Sequence, residues 1–255
     1  MSTACSQDFG PGYRFDLFKN TPNWELAKAV EKENKTEIKK LITQGKLNIN
    51  LQESKFGETP LLLAVGNDKL ISTKALLEEG ANVNIKDFVH GSPIDEATFL
   101  INQKKNTVDI LKLLIKHGAN VNDTFVKKKN NDTVSTYTPL VGGCSNLECA
   151  KLLLSNGANP YVQTNNTYLV WFTMLTNYFD ESIYVLKHII VDKKMAIPNL
   201  ITINFPNKRP LDIFYLLNKE NFRTDTNKQK VKQEILDYLH KINFPKNQVY
   251  RSSRD

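Results

Sequence analysis

The sequence predicts an all-α chain of about six helix-turn-helix units in tandem, three clear and three degenerate. Two observations predict it. A Gly-Ala-Asn turn recurs at Gly80-Ala81-Asn82-Val83-Asn84, Gly118-Ala119-Asn120-Val121-Asn122 and Gly157-Ala158-Asn159-Pro160, with its glycines 38 and 39 residues apart. Upstream of each copy a hydroxyl residue precedes a proline, at Thr59-Pro60, Ser92-Pro93 and Thr138-Pro139. The composition permits such an array. Of 255 residues, 40% are hydrophobic and 24% charged, which is enough apolar surface for a core and excludes wholesale disorder. No uninterrupted apolar run approaches the length needed to cross a membrane.

Taken in order, residues 1–22 read as an N-terminal tether and 23–243 as the array. Trp24–Val30 and Glu37–Gln44 form the first, weaker pair, closed by Gly45-Lys46-Leu47-Asn48-Ile49-Asn50. In the second unit the Thr59 hydroxyl caps a helix, and Pro60 sits at the first position, where its missing N–H costs nothing. Leu61, Leu62, Ala64 and Val65 then line one helical face. Ile71–Glu79 is the second helix, and Gly80 stops it by accepting a left-handed conformation. The third unit repeats this from Ser92-Pro93 through Val108–His117 to Gly118, with a longer link at Asn102–Asn106.

Asp123–Thr136 reads as a long insertion before the fourth unit, and loops of that length in compact folds are usually functional or disordered. The fourth unit runs from Thr138-Pro139-Leu140 to Gly157. Tyr168–Tyr178 and Glu181–Val191 follow as a pair without the Thr-Pro start, and Trp171 and Phe172 fall to its core. Lys208-Arg209-Pro210-Leu211-Asp212 opens the last pair, Leu211–Asn218 and Val231–Ile242, and 244–255 is a basic tail.

Turn, helix, turn, helix, glycine stop: over 57–84, 91–122 and 137–160 the pattern resembles the ankyrin repeat. One feature departs from it. The histidine usual after Thr-Pro-Leu is replaced by Leu62, Asp95 and Val141, so the hydrogen bond it makes between repeats is not expected. The resemblance implies a solenoid without catalysis that binds another protein through first helices and projecting finger loops. Those loops are Gln52–Gly57, Lys86–His90, Phe125–Tyr137 and Gln163–Tyr168. The partner-binding candidates on them are Phe56, Phe88, His90, Phe125, Tyr137 and Tyr168, together with Lys127, Lys128 and Lys129 at a basic, mobile tip. The alternative for the aromatics is packing between fingers, and for the lysines plain solvation.

Catalytic and metal-binding signatures are missing. No Walker-type loop, G-x-S-x-G elbow or H-E-x-x-H is present, so no catalytic residue, cofactor or metal is expected. His117 and His188 fall near helix C-termini, where a basic group complements the helix dipole. Cys5, Cys144 and Cys149 make neither a disulfide framework nor a zinc spacing. Cys144 and Cys149 read as buried thiols, with a local disulfide as the alternative in an oxidising compartment. The net charge is +7, and residues 186–255 hold 14 basic against 7 acidic groups. That end allows an anionic surface as a further alternative partner. Only five of the 34 basic residues are Arg, which argues against nucleic acid.

The start, Ser2-Thr3-Ala4-Cys5-Ser6, resembles the end of a bacterial lipoprotein signal, with Ser2 where leucine is usual. This implies lipidation at Cys5 and a membrane-anchored protein facing the periplasm; the alternative is a cytoplasmic start. In size and architecture the chain is similar to bacterial ankyrin-repeat lipoproteins. These include immunity proteins that bind type VI secretion effectors, phospholipases among them, and block them sterically. The implied partner is a secreted toxin or hydrolase rather than a small-molecule substrate. A general scaffold or host-directed binder is the alternative.

Overall fold

A computed structural model describes residues 13–45, 47–103, 108–129, 133–164, 167–176, 179–198, 213–219, 222 and 225–245. Contacts divide the chain into two units, Met1–Pro139 and Leu140–Asp255. Six helix pairs are present among the described residues, three pairs beginning in each unit apart from Pro139 at the boundary. The fold is all-α, a tandem array of helix pairs as the repeats predict.

In the first unit the pairs are α1 (Trp24–Glu31) with α2 (Lys35–Gly45), α3 (Pro60–Gly66) with α4 (Leu70–Glu78), and α5 (Pro93–Asn102) with α6 (Val108–Lys116). First helices pack on first helices, α1 on α3 and α3 on α5. Second helices do the same, α2 on α4 and α4 on α6. The centre is α3, where Leu61, Leu62, Leu63, Ala64 and Val65 are all at most 1% exposed. Thr59 caps it by accepting the Leu62 N–H at 3.2 Å. Ser92 works differently at α5. Asp95 accepts both the Ser92 N–H (3.1 Å) and the Ser92 hydroxyl (2.7 Å). Asp95, which stands where the ankyrin pattern usually has a histidine, has thus joined the cap.

Glycine is required where the second helices stop. Gly80 and Gly118 both have φ of +88°, and no other group lies near enough to crowd a Cβ there. Backbone geometry alone selects them. The turns beyond are tied by asparagines. Asn48, Asn82 and Asn120 each accept the N–H two residues on, at 3.0 Å. Asn50 accepts the Asn82 N–H (2.8 Å) and Asn84 the Asn120 N–H (3.0 Å), which links each turn to the next.

Two expectations change in this unit. Cys5 and the rest of residues 1–12 lie outside the described residues, but the expected tether is packed from Tyr13 onward. Phe15–Phe18 forms a 3-10 turn, and Phe18, 0% exposed, joins Ala27 and Leu63 with Phe15, Leu17 and Trp24 against them. Three apolar side chains of this segment, Phe15, Leu17 and Phe18, lie against a core and are more stable there than in water. The expected insertion 123–136 is a hairpin: β1 (Phe125–Lys129) pairs antiparallel with β2 (Thr133–Tyr137), Phe125 opposite Tyr137. Val126, Thr133, Val134, Thr136 and Tyr137 are residue types that favour strands.

The second unit holds α7 (Pro139–Gly143), α8 (Leu147–Ser155), α9 (Leu169–Thr176), α10 (Phe179–Lys187), α11 (Ile213–Lys219) and α12 (Thr226–Lys241). A short ladder, β3 (Gln163–Thr164) with β4 (Thr167–Tyr168), precedes α9, so Tyr168 lies on a strand rather than opening the helix. Helix α10 packs on α8, α9 and α12 and ends at Lys187 in a π-turn, His188–Asp192, instead of running to Val191. Trp171 is fully buried as expected, while the Phe172 side chain lies outside the described residues. Cys144 and Cys149 are buried and free, not bonded to each other. Asp225 caps α12 by accepting the Lys228 N–H at 3.0 Å, which starts that helix five residues ahead of expectation. Residues 246–255 of the expected tail lie outside the described residues.

Candidate partner-binding face

The first two fingers are built around an acid at their base. Glu53 accepts the backbone N–H groups of Lys55 (2.7 Å), Phe56 (2.6 Å) and Glu58 (3.1 Å). Asp87 accepts those of Val89 (3.0 Å), His90 (2.5 Å) and Gly91 (2.8 Å) on one oxygen. Asp123 holds the same place in the third finger and accepts the Thr124 N–H at 2.8 Å. Each carboxylate closes a loop that would otherwise leave backbone donors unpaired.

Neighbouring fingers are bolted together. Gln52 donates to the carbonyls of Gly57 (2.8 Å) and Lys86 (2.9 Å). The Phe88 N–H donates to the Phe56 carbonyl at 2.8 Å. Lys86 reaches on to the Thr124 carbonyl at 2.9 Å and pairs with Asp123. Aromatic rings follow the same step. A Cβ at Gly57 would lie 2.9 Å from the Phe88 ring, and one at Gly91 would lie 3.2 Å from Phe125. Each ring therefore rests on the glycine of the finger before it.

The candidate residues separate by exposure. Phe88 is 68% exposed and Tyr137 45% exposed, so both present a large apolar face to solvent. Phe56, His90 and Phe125 are only partly exposed. Phe56 lies under the Lys55 ammonium, 4.9 Å from its ring centre. His90 is engaged inward, with Nδ1 3.1 Å from Asp87 and its ring 4.9 Å from that of Tyr13. Tyr168 is partly exposed in the second unit. The side chains of Lys127, Lys128 and Lys129, and the hairpin tip 130–132, lie outside the described residues.

Three contributors were not marked in the sequence. Val126, beside Phe125 on the hairpin, and Phe99, on α5, are each about half exposed, at 49% and 50%. From Gly91 to Leu100, Phe99 is the only exposed residue. The third is Tyr13, whose ring covers Gly66 so closely that a Cβ there would lie 2.2 Å from it. The Tyr13 carbonyl accepts from Asn67 at 3.0 Å.

Behind the fingers lies a buried acidic cluster: Glu58, Asp87, Asp95 and Glu96 are each at most 7% exposed. Burial, then the charges of Asp87, Glu96 and Glu53, lift Glu58 to about 9, so it keeps its proton at neutral pH. Burial lifts Asp95 to about 6, against the pull of the Ser92 bonds. Glu96 is raised by burial as well. Burial pushes Asp87 the same way, but its bonds from His90 and three backbone N–H groups win and hold it below the usual carboxylate range. The Tyr13 phenol is pushed up by burial and by the Glu96 carboxylate.

A family model for the ankyrin repeat matches residues 56–88, which span the end of the first finger, α3, α4 and the start of the second finger. An ankyrin repeat protein of fowlpox virus is 31% identical over 123 residues, 48% of this chain and 34% of that protein. One from Rickettsia bellii is 33% identical over 114 residues, 44% of this chain and 15% of its own length. The chicken Arf-GAP with coiled-coil, ANK repeat and PH domain-containing protein 2 is 33% identical over 88 residues, 34% of this chain and 11% of its length. The matched region thus spans about a third or less of these relatives.

Proposed function

We propose that this chain is a bacterial immunity protein that binds a secreted antibacterial effector, a phospholipase or other hydrolase, and blocks its substrate entrance. Ankyrin repeats imply a protein-binding module, and that much needs no effector. The observation that supports an occluding role is the finger face of the first unit. Phe88 and Tyr137 stand exposed on loops that are already hydrogen-bonded into shape. Aromatic side chains on a rigid frame lose little entropy on binding, which is how interface anchors reach high affinity. Capping an enzyme entrance takes an interface of roughly 1,600 Å² in total, which a few fingers and one helix face can supply. Acylation at Cys5, on the periplasmic side of a membrane, belongs to the same proposal and is tested by metabolic labelling with a fatty acid.

The binding test is affinity capture from the native organism with the wild-type chain and with a Phe88→Ala/Tyr137→Ala double variant. One secreted hydrolase is expected, retained in equal amount by the wild type, lost by the variant, and inhibited by the purified chain. Capture of a non-secreted protein, or of a hydrolase that stays active in the complex, would leave a scaffold in place of an inhibitor. A partner held only at low salt would point to the basic residues 186–255 instead.

A further inference from the structure

Glu58, Asp87 and His90 gather behind the second finger. One carboxylate oxygen from each acid and a ring nitrogen of His90 all lie within 4.8 Å of one another. Glu58 is 0% exposed, yet neither of its carboxylate oxygens accepts a hydrogen bond from the protein. That is costly in a buried place; of the neighbouring acids Asp95 leaves one oxygen without a partner, and only Glu58 leaves both. Glu53 and Asp87 are each furnished with three backbone donors. No Lys or Arg pairs with Glu58 among the described residues. A cation is the partner that would satisfy both orphan oxygens and relieve the crowding of Glu58 against Asp87.

We propose that Glu58, Asp87 and His90 form a binding site for a first-row divalent cation of the zinc type. Two carboxylates and an imidazole are a donor set that zinc accepts, whereas an imidazole nitrogen argues against calcium or magnesium. The second shell is already in place. Asp87 spends one oxygen on three backbone N–H groups, which aims the other, 3.1 Å from His90 Nδ1, into the cluster. The Tyr13 ring, 4.9 Å from that of His90, fixes the imidazole plane. His90 is the partly exposed member, so the cation enters from its side. Coordination bonds near ~2.1 Å put ligand atoms roughly 3.4 Å apart. Asp87 and His90 Nδ1 already stand at 3.1 Å, so the closing movement, from at most 4.8 Å, is a rotamer-scale one made by Glu58. Binding displaces the Glu58 proton to solvent, so affinity rises with pH. It joins the residue before the α3 cap to the second finger and so stiffens the loop that carries Phe88.

Calorimetric titration of ZnCl2 into the full chain, in a non-chelating buffer, tests this. One site per chain is expected, with affinity on the order of micromolar or better and a raised unfolding temperature. Magnesium and calcium should give no heat. Glu58→Gln and His90→Ala should each weaken binding by about 10-fold or more, with circular dichroism unchanged. Glu58→Gln removes a buried acid, so it keeps the test open should His90→Ala fail to fold. His188→Ala, at the other described His-Asp pair, should bind as the wild type does. Absence of a saturable site up to about 1 mM zinc, or undiminished binding in both Glu58→Gln and His90→Ala, overturns the proposal.

Discussion

Replacing Gly66 by alanine tests whether Tyr13 is a structural part of the first unit. Gly66 ends α3, and its φ is not in the left-handed region, so alanine is allowed there and is the better helix former by up to about 1 kcal/mol. The obstacle is Tyr13. A Cβ at Gly66 would lie 2.2, 2.4 and 2.6 Å from three atoms of its ring, where carbon contacts sit at about 3.5–4 Å. The ring must move by more than about 1 Å, and His90 blocks the other side. Expelling a buried aromatic costs about 3–5 kcal/mol. The buried Tyr13 hydroxyl faces the Glu96 carboxylate without a well-formed hydrogen bond, so its release to water returns about 1–2 kcal/mol. Gly66→Ala in the wild type should therefore destabilise by about 1–2 kcal/mol after the helix gain. In a Tyr13→Ala background the same change should stabilise by about 0.5 kcal/mol. Urea unfolding followed by circular dichroism measures the cycle, and hydrogen exchange at residues 13–18 shows whether the segment has come loose. Equal effects in both backgrounds would mean that Tyr13 does not rest on Gly66, and the packing argument would fail.

The remaining predictions concern the acidic cluster, the turns and the fingers. Burial lifts Asp95 from 3.8 to about 6, so the folded state keeps a proton that the unfolded chain has already lost. Its contribution is full below pH 3.8 and is lost as pH rises to about 6, amounting to about 3 kcal/mol at 1.36 kcal/mol per unit. Asp95→Asn should flatten stability over that window relative to wild type; parallel curves would contradict it. Gly80→Ala should cost about 1 kcal/mol through its φ of +88° alone, since nothing crowds the site. Gly57→Ala should cost more, because its Cβ also meets the Phe88 ring at 2.9 Å. Comparison of the two melting temperatures decides this. Phe88→Ala and Tyr137→Ala, both at exposed positions, should each change stability by less than about 0.5 kcal/mol, so that a loss of partner binding is not a folding defect.

The repeats were legible because each part of them is a local rule. A proline at the first helical turn, a glycine with positive φ and an asparagine that bonds two residues ahead act within a few residues, and they recur at fixed spacing. The sequence reads 123–136 as a long insertion rather than a hairpin because its charged and Asn-rich centre masks the β-branched residues on either side. Exposure was harder still. Phe56, Phe88 and Phe125 occupy similar finger positions, yet Phe88 stands 68% exposed while Phe125, also seated on the glycine of the preceding finger, is only partly exposed. In the cluster of Glu58, Asp87 and His90 only the last two are near in sequence, three residues apart, and Glu58 is remote from both. The cluster joins the residue before one helix cap to the base of the following finger, and only stacking the repeats brings them within 4.8 Å. The sole sequence clue is an acid at 53, 87 and 123, recurring once in each of three successive fingers.

What Tyr13–Phe18 covers determines what a partner can touch. Every residue of α3 from Pro60 to Gly66 is buried, and Tyr13 on Gly66 and Phe18 on Leu63 are part of the reason. The corresponding stretch of α5 leaves Phe99 in solvent. Phe88, Phe99, Val126 and Tyr137 are thus open to a ligand of the first unit, whereas α3 is covered. If the partner uses only that exposed set, Gly66→Ala leaves its affinity unchanged even as the segment loosens. If it needs α3, it must first displace Tyr13, and a variant that has already expelled the ring binds more tightly, because that part of the cost has been removed from the binding step. Affinity of the captured partner for Gly66→Ala thus decides between a finger-only contact and one in which the N-terminal segment competes for the groove.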